Sequence, residues 1–180
     1  MLNINIKQKY LGINNDKLII DSPEFNDGYY EKCTFNNAMI NMIKLQQGIY
    51  ISCQFNDSTM QGARLEDSIY VNCEFINSDI YWCNTMDSNF IDCKFVKTSF
   101  RGACMHRTTF LNCDIIDCDF SNDNLGGSGH YEDILFINCN VKSILPAIIF
   151  SEFAQQGDAP EPATMVSPAS QHHISRPGDL

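Results

Sequence analysis

Residues 73–92 read CEFINSDIYWCNTMDSNFID. Large side chains stand at Phe75, Ile80 and Phe90 on a count of five, with Thr85 holding the third of the four places, and Cys73, Ser78, Cys83 and Ser88 stand two residues before them. Working outward, the same count passes through Phe35, Ile40, Leu45, Tyr50, Phe55, Met60, Leu65 and Tyr70, then Phe95, Phe100, Met105, Phe110, Ile115, Phe120 and Leu125. Thr85 is the one stop that is not large and apolar. The small position holds Cys, Ala, Gly, Ser or Thr throughout, except at Ile43 and Asp123. A period of five is neither the 3.6 of a helix nor the 2 of a strand, so it reads as an all-β solenoid.

Stretches such as Cys33-Thr34-Phe35-Asn36-Asn37, Cys73-Glu74-Phe75-Ile76-Asn77 and Cys118-Asp119-Phe120-Ser121-Asn122 resemble the pentapeptide-repeat family, whose unit is A(D/N)LXX. The resemblance covers a little over half of the chain. It implies a right-handed four-sided β-helix with one pentapeptide on each side. A four-sided coil should repeat every twenty residues, and it does so independently of the resemblance. Cys33, Cys53, Cys73, Cys93 and Cys113 are followed at constant offset by Phe35, Phe55, Phe75, Phe95 and Ile115, and preceded by Tyr30, Tyr50, Tyr70, Phe90 and Phe110. Five to six coils are expected, stacked at the ~4.8 Å spacing of adjacent strands.

The organisation follows from where the count begins, slips and ends. Residues 1–17 read as an N-terminal cap and residues 18–145 as the β-helix. Leu111-Asn112-Cys113 and Ile137-Asn138-Cys139 are twenty-six residues apart, one coil plus six, which places a loop at 126–131 among three glycines. That loop reads equally as a partner contact or a tolerated surface insertion. Residues 146–154 read as a C-terminal cap. Residues 155–180, with Pro160, Pro162, Pro168 and Pro177, lack the apolar content to fold alone and read as a flexible tail.

Five of the nine cysteines share one inward column and act as compact apolar fillers. Cys83, Cys118 and Cys139 are expected at small sites on other sides, and Cys104 alone points outward. None of the histidines, His106, His130, His172 and His173, stands in a zinc-type arrangement with them. The reading is therefore reduced, structural thiols, no metal and no cofactor, in a reducing cytoplasmic compartment. Export of a bacterial effector by a specialised system would leave no mark here. No apolar run reaches the roughly 20 residues of a membrane span.

No phosphate-binding glycine loop, Gly-x-Ser-x-Gly elbow or His-Glu-x-x-His motif is present. Glu66 with Asp67, and Asp117 with Asp119, read as solvated surface charge, so no catalytic residue is assigned. Function then rests on the outer surface. The net charge is −10, and an acidic rod resembles the gyrase-protecting, DNA-mimicking members of the family. This implies a type II topoisomerase as one candidate partner, with Asp114, Asp117 and Asp119 on the acidic wall. Lys94, Lys97, Arg101, His106 and Arg107 interrupt that field, and the net charge opposes direct nucleic-acid binding. The second feature is apolar: Ile51, Val71, Ile91 and Leu111 recur every twenty residues, Ile76, Val96 and Ile116 form another row, and Tyr81 and Trp82 add two rings. These rows read as a surface for a protein partner or a homodimer, or as β-branched side chains stacking on their own copies. The polar row Ser52, Asn72, Asp92, Asn112 and Asn138 reads as a structural ladder between coils.

Overall fold

The computed structural model describes residues 8–14 and 26–144. Its strands, in chain order, are β1 (Gln8–Leu11), β2 (Gly28–Glu31), β3 (Ile49–Ile51), β4 (Ile69–Val71), β5 (Glu74–Ile76), β6 (Asn89–Ile91), β7 (Lys94–Val96), β8 (Thr109–Leu111), β9 (Asp114–Ile116), β10 (Leu135–Ile137) and β11 (Asn140–Lys142). All pair in parallel. One sheet runs β1-β2-β3-β4-β6-β8-β10 and the other β11-β9-β7-β5. The remaining two sides are joined by single bridges in columns, Met39 to Thr59, Asp79, Ser99 and Asp119, and Lys44 to Arg64, Asn84, Cys104 and His130. The chain is an all-β solenoid with four pentapeptide sides to a turn.

The five-residue period has a backbone cause. In each pentapeptide the small and the large residue point inward, and the residue two places after the large one turns the corner. That corner residue is left-handed, with φ between 51° and 58° at the non-glycine positions, including Ser52, Asn72, Asp92, Asn112 and Asn138. Asn and Asp tolerate this region better than other L-residues. The polar ladder is thus first a row of corners. Its side chains also link coils, Asn72 Nδ2 donating to Ser52 Oγ at 3.2 Å and Asn112 Nδ2 to Asp92 Oδ1 at 3.1 Å.

Stacked rings form the core. Tyr10, Tyr30, Tyr50, Tyr70, Phe90, Phe110 and Phe136 make one column, with centroids 4.6 to 5.1 Å apart. Phe35, Phe55, Phe75 and Phe95 make a second at 4.8 to 4.9 Å, meeting the first edge to face. Small hydroxyl and thiol groups cap carbonyls two residues before themselves and one turn below, as Ser88 Oγ does with Leu65 O at 2.7 Å. Thr85, the polar stop, is fully buried and accommodated by Thr108, whose hydroxyl lies 3.1 Å from its own.

The Tyr50 hydroxyl donates to Leu45 O at 3.3 Å, whereas the buried Tyr70 hydroxyl has no partner. Tyr70→Phe should therefore leave stability unchanged or raise it by up to about 1 kcal/mol, while Tyr50→Phe costs about 0.5–1.5 kcal/mol. Thermal unfolding of the two variants tests this, and an equal loss at both sites would refute the assignment.

Several expectations change. Residues 8–14, expected within a cap, pair in register with β2 and bridge Asn14 to Thr34, because Tyr10 continues the ring column. Leu125 is 82% exposed rather than inward. The excursion occupies residues 122–129 instead of 126–131, since His130 already bridges Cys104 and Tyr131 packs beside Phe120. Cys139 lies above Cys113, as the pairing of Asn140 with Asp114 requires, so it continues the main cysteine column instead of occupying another side. Expectations for residues 146–154 and 155–180 fall outside the described residues.

Candidate interaction surfaces

The outer face of the seven-stranded sheet is built by strands whose central residue faces inward. Their flanking residues form two parallel rows. Ile51, Val71, Ile91, Leu111 and Ile137 are in register in one, and Ile49 and Ile69 begin the other, which continues through Asn89, Thr109 and Leu135. From β3 to β10 neither row contains a charge. The aliphatic residues from Ile49 to Leu111 are half-buried because each leans on the next coil, while Leu135 and Ile137 are 40% and 42% exposed. The face is therefore both self-stacked and open.

Ile76, Val96 and Ile116 stand in register on the four-stranded sheet. A row of Glu74, Lys94, Asp114 and Asn140 lies between them and the first sheet, so the two apolar rows are separate surfaces. Asp114, Asp117 and Asp119 also do not share one wall. Asp114 is on the four-stranded sheet, Asp117 is at its corner and Asp119 is on the next side. Cations accompany them. Lys94 pairs in register beneath Asp114, Lys97 holds the corner below Asp117, and Arg101 Nε is 3.8 Å from Asp119. Arg107 makes a two-pronged contact with Asp87 at 2.6 Å, which holds that carboxyl below its ordinary range. The basic run is thus interleaved with acids from neighbouring coils.

Glu66 departs from the expected solvated charge. It is only 6% exposed, with Oε1 accepting from Arg64 Nε at 2.9 Å and from Asn84 Nδ2 at 2.8 Å, while Oε2 has no partner. Asp79 on the adjacent side is raised by burial.

Tyr81 and Trp82 belong to a cluster that sequence reasoning resolved only in part. Their rings stack at 5.0 Å, and Arg101 lies over Tyr81 at 5.6 Å. Met42 and Trp82 are corner residues with positive φ, and each lies across a glycine of the next coil, Gly62 or Gly102. A Cβ at either glycine would come within 2.6 Å of the overlying side chain. This bulky-then-glycine alternation at Met42, Gly62, Trp82 and Gly102 is visible in the sequence once corners are known.

Asp123 ties the loop to this cluster. Its Oδ2 accepts from Trp82 Nε1 at 2.7 Å, and its Oδ1 accepts from the backbone N–H of Leu125 at 2.8 Å and of Gly127 at 2.6 Å. Arg101 Nη1 adds a bond to Asn124 Oδ1 at 2.9 Å. Burial alone would raise the Asp123 carboxyl, but these donors outweigh it and hold the group below its ordinary range. A depressed folded pKa means that the clasp is intact above the usual carboxylate value of about 3.9 and is lost as pH falls through the lower folded value. Trp82 is the chain's one tryptophan. Its emission should stay constant from neutral pH to below the usual carboxylate value of about 3.9, and shift to the red with greater acrylamide quenching only as pH falls through the lower folded value. Asp123→Ala should show the shifted spectrum already at neutral pH; an unchanged spectrum would remove the clasp from consideration.

The family model for pentapeptide repeats matches residues 86–122, in eight copies. Among solved structures, HetL, a pentapeptide-repeat protein involved in heterocyst differentiation regulation in the cyanobacterium Nostoc, is 9% identical with a TM-score of 0.61 over 67% of this chain and 50% of HetL. This chain thus spans half the length of HetL. Trypsin-treated QnrB1, a plasmid-mediated fluoroquinolone resistance protein, is 17% identical with a TM-score of 0.45 over 76% of this chain and 68% of QnrB1. No curated protein matches the chain. Residues 86–122 thus match the pentapeptide-repeat family, and the parallel solenoid is the fold that the chain shares with HetL.

Proposed function

We propose that the chain is a non-enzymatic interaction module that holds a protein partner against the outer face of its seven-stranded sheet. One observation carries this reading: a charge-free, in-register pair of rows, largely aliphatic, on a chain of net charge −10. Exposed apolar ridges of this extent, rimmed by polar corners, suit a protein contact. Stacking on a rigid shaft adds little ordering cost on binding, since the side chains are already held by their neighbours.

The test replaces Ile51 and Ile91 by Asp together. Both point outward and are half-buried, so the β-sheet circular dichroism should persist while partner capture falls to background. Retained capture by the folded double variant would refute the assignment of this face. A DNA-mimicking contact with a type II topoisomerase has less support, because Asp114, Asp117 and Asp119 each lie next to a cation. Charge reversal of all three is expected to leave gyrase supercoiling assays unaffected.

A further inference from the structure

Eight of the nine cysteines point into the wall, and six of them, Cys33, Cys53, Cys73, Cys93, Cys113 and Cys139, form a single column. Each thiol donates only long bonds to carbonyls, such as Cys113 to Phe90 O and Cys139 to Phe110 O, both at 3.3 Å. Cys139 stands directly above Cys113, since Asn140 and Asp114, the residues that follow them, pair in register. Along the column Cys113 is fully buried, whereas Cys139 is partly exposed.

We propose that the Cys113–Cys139 end of this column binds a thiophilic divalent cation that accepts linear two-thiolate coordination, the class represented by Hg(II). The coil repeat supplies the geometry. Rings in the neighbouring column at this level, Phe110 and Phe136, are 5.0 Å apart, and the repeat elsewhere is as short as 4.6 Å. Taking the zinc–thiolate length of about 2.3 Å as the scale, two metal–thiolate bonds placed end to end span about 4.6 Å. At the 5.0 Å spacing found at this level, a cation midway between the stacked thiols is reached by both once they tilt slightly toward it, without moving the coils apart.

Charge decides among cations. Binding releases one proton from each thiol, so two thiolates and one divalent ion form a neutral unit that can remain in the wall. A monovalent ion would leave a buried negative charge, which is costly. Zinc prefers four ligands, and no group of three His, Cys, Asp or Glu suited to a metal occurs among the described residues. The long S–H bonds given up are weak ones.

The experiment uses the full chain carrying Cys104→Ala, which removes the outward thiol. Mercuric chloride is added with excess glutathione as competitor, followed by desalting, native mass spectrometry, thiol counting in denaturant and far-ultraviolet circular dichroism. The expected result is one ion retained per chain, two thiols withdrawn from the count, an upward shift in thermal midpoint and an unchanged β-sheet spectrum. Adding Cys139→Ala should abolish retention, whereas adding Cys118→Ala, on another side, should not. Complete transfer of the ion to glutathione, equal retention without Cys139, or binding accompanied by loss of the β-sheet signal would each overturn the proposal.

Discussion

Phe95→Ala is expected to cost about 3–5 kcal/mol, the range for truncating a buried aromatic residue without collapse of the site. Phe95 is fully buried, stacks on Phe75 at 4.8 Å, and meets the edges of Phe90 and Phe110 at 5.3 and 5.5 Å. The backbone around it is pinned on both sides, β7 pairing with β5 and β9. The cavity therefore remains open. In a solenoid, stability is close to a sum of turns and nearest-neighbour couplings, so a hole at this level weakens the link between the turns below and those above. Urea unfolding followed by circular dichroism should show a lower and broader transition than the parent. Trp82, whose indole lies against Gly102 and donates to Asp123, reports by fluorescence on the contacts that cross this level. Phe136→Ala, at a partly buried ring nearer the end, should cost less, and an equal or greater loss there would contradict this view of the core.

Gly48→Val should cost about 1–3 kcal/mol by overpacking. A Cβ on Gly48 would lie 2.6 Å from Tyr50 Cε2 and 2.9 Å from its hydroxyl oxygen. Tyr50 has no route of retreat, being stacked between Tyr30 at 4.7 Å and Tyr70 at 4.6 Å, with its hydroxyl on Leu45 O. One and two turns on, Ser68 and Ser88 fill the same place and carry a Cβ without conflict. Glycine at 48 thus goes with the ring position that lets Tyr50 reach a carbonyl, while Tyr70, beside Ser68, has a hydroxyl with no partner. Thermal unfolding monitored by circular dichroism measures the cost; a parent-like midpoint would show that the ring column can shift.

The large-residue count from Phe35 to Phe120 was legible without coordinates, since the inward side chains of Phe35, Ile40 and Leu45 repeat because the backbone turns a corner every five residues. The candidate surfaces were legible in composition but not in arrangement. Sequence spacing identified Ile51, Val71, Ile91 and Leu111 as one row, and that row stands. It could not show that Asp114, Asp117 and Asp119 lie on different parts of the turn, each beside a cation. Nor could it show that Glu66 folds back under Arg64 and Asn84.

The excursion after Phe120 marks the boundary between the two kinds of information. Counting detects that six residues are surplus, because Leu111 and Ile137 must pair. It cannot place them, since Leu125 fits the five-residue count as well as Tyr131 fits the resumed one. The choice is made by Asp123, whose carboxylate gathers Trp82, Leu125 and Gly127 and leaves Leu125 outside. The sequence alone therefore determined the solenoid, its four sides and its inward rows, because those depend on local period and on like residues meeting at a fixed interval. Which rows share a face, where the loop leaves the wall and which charges are paired were decided only in the tertiary structure, because they depend on contacts between turns that no single period encodes.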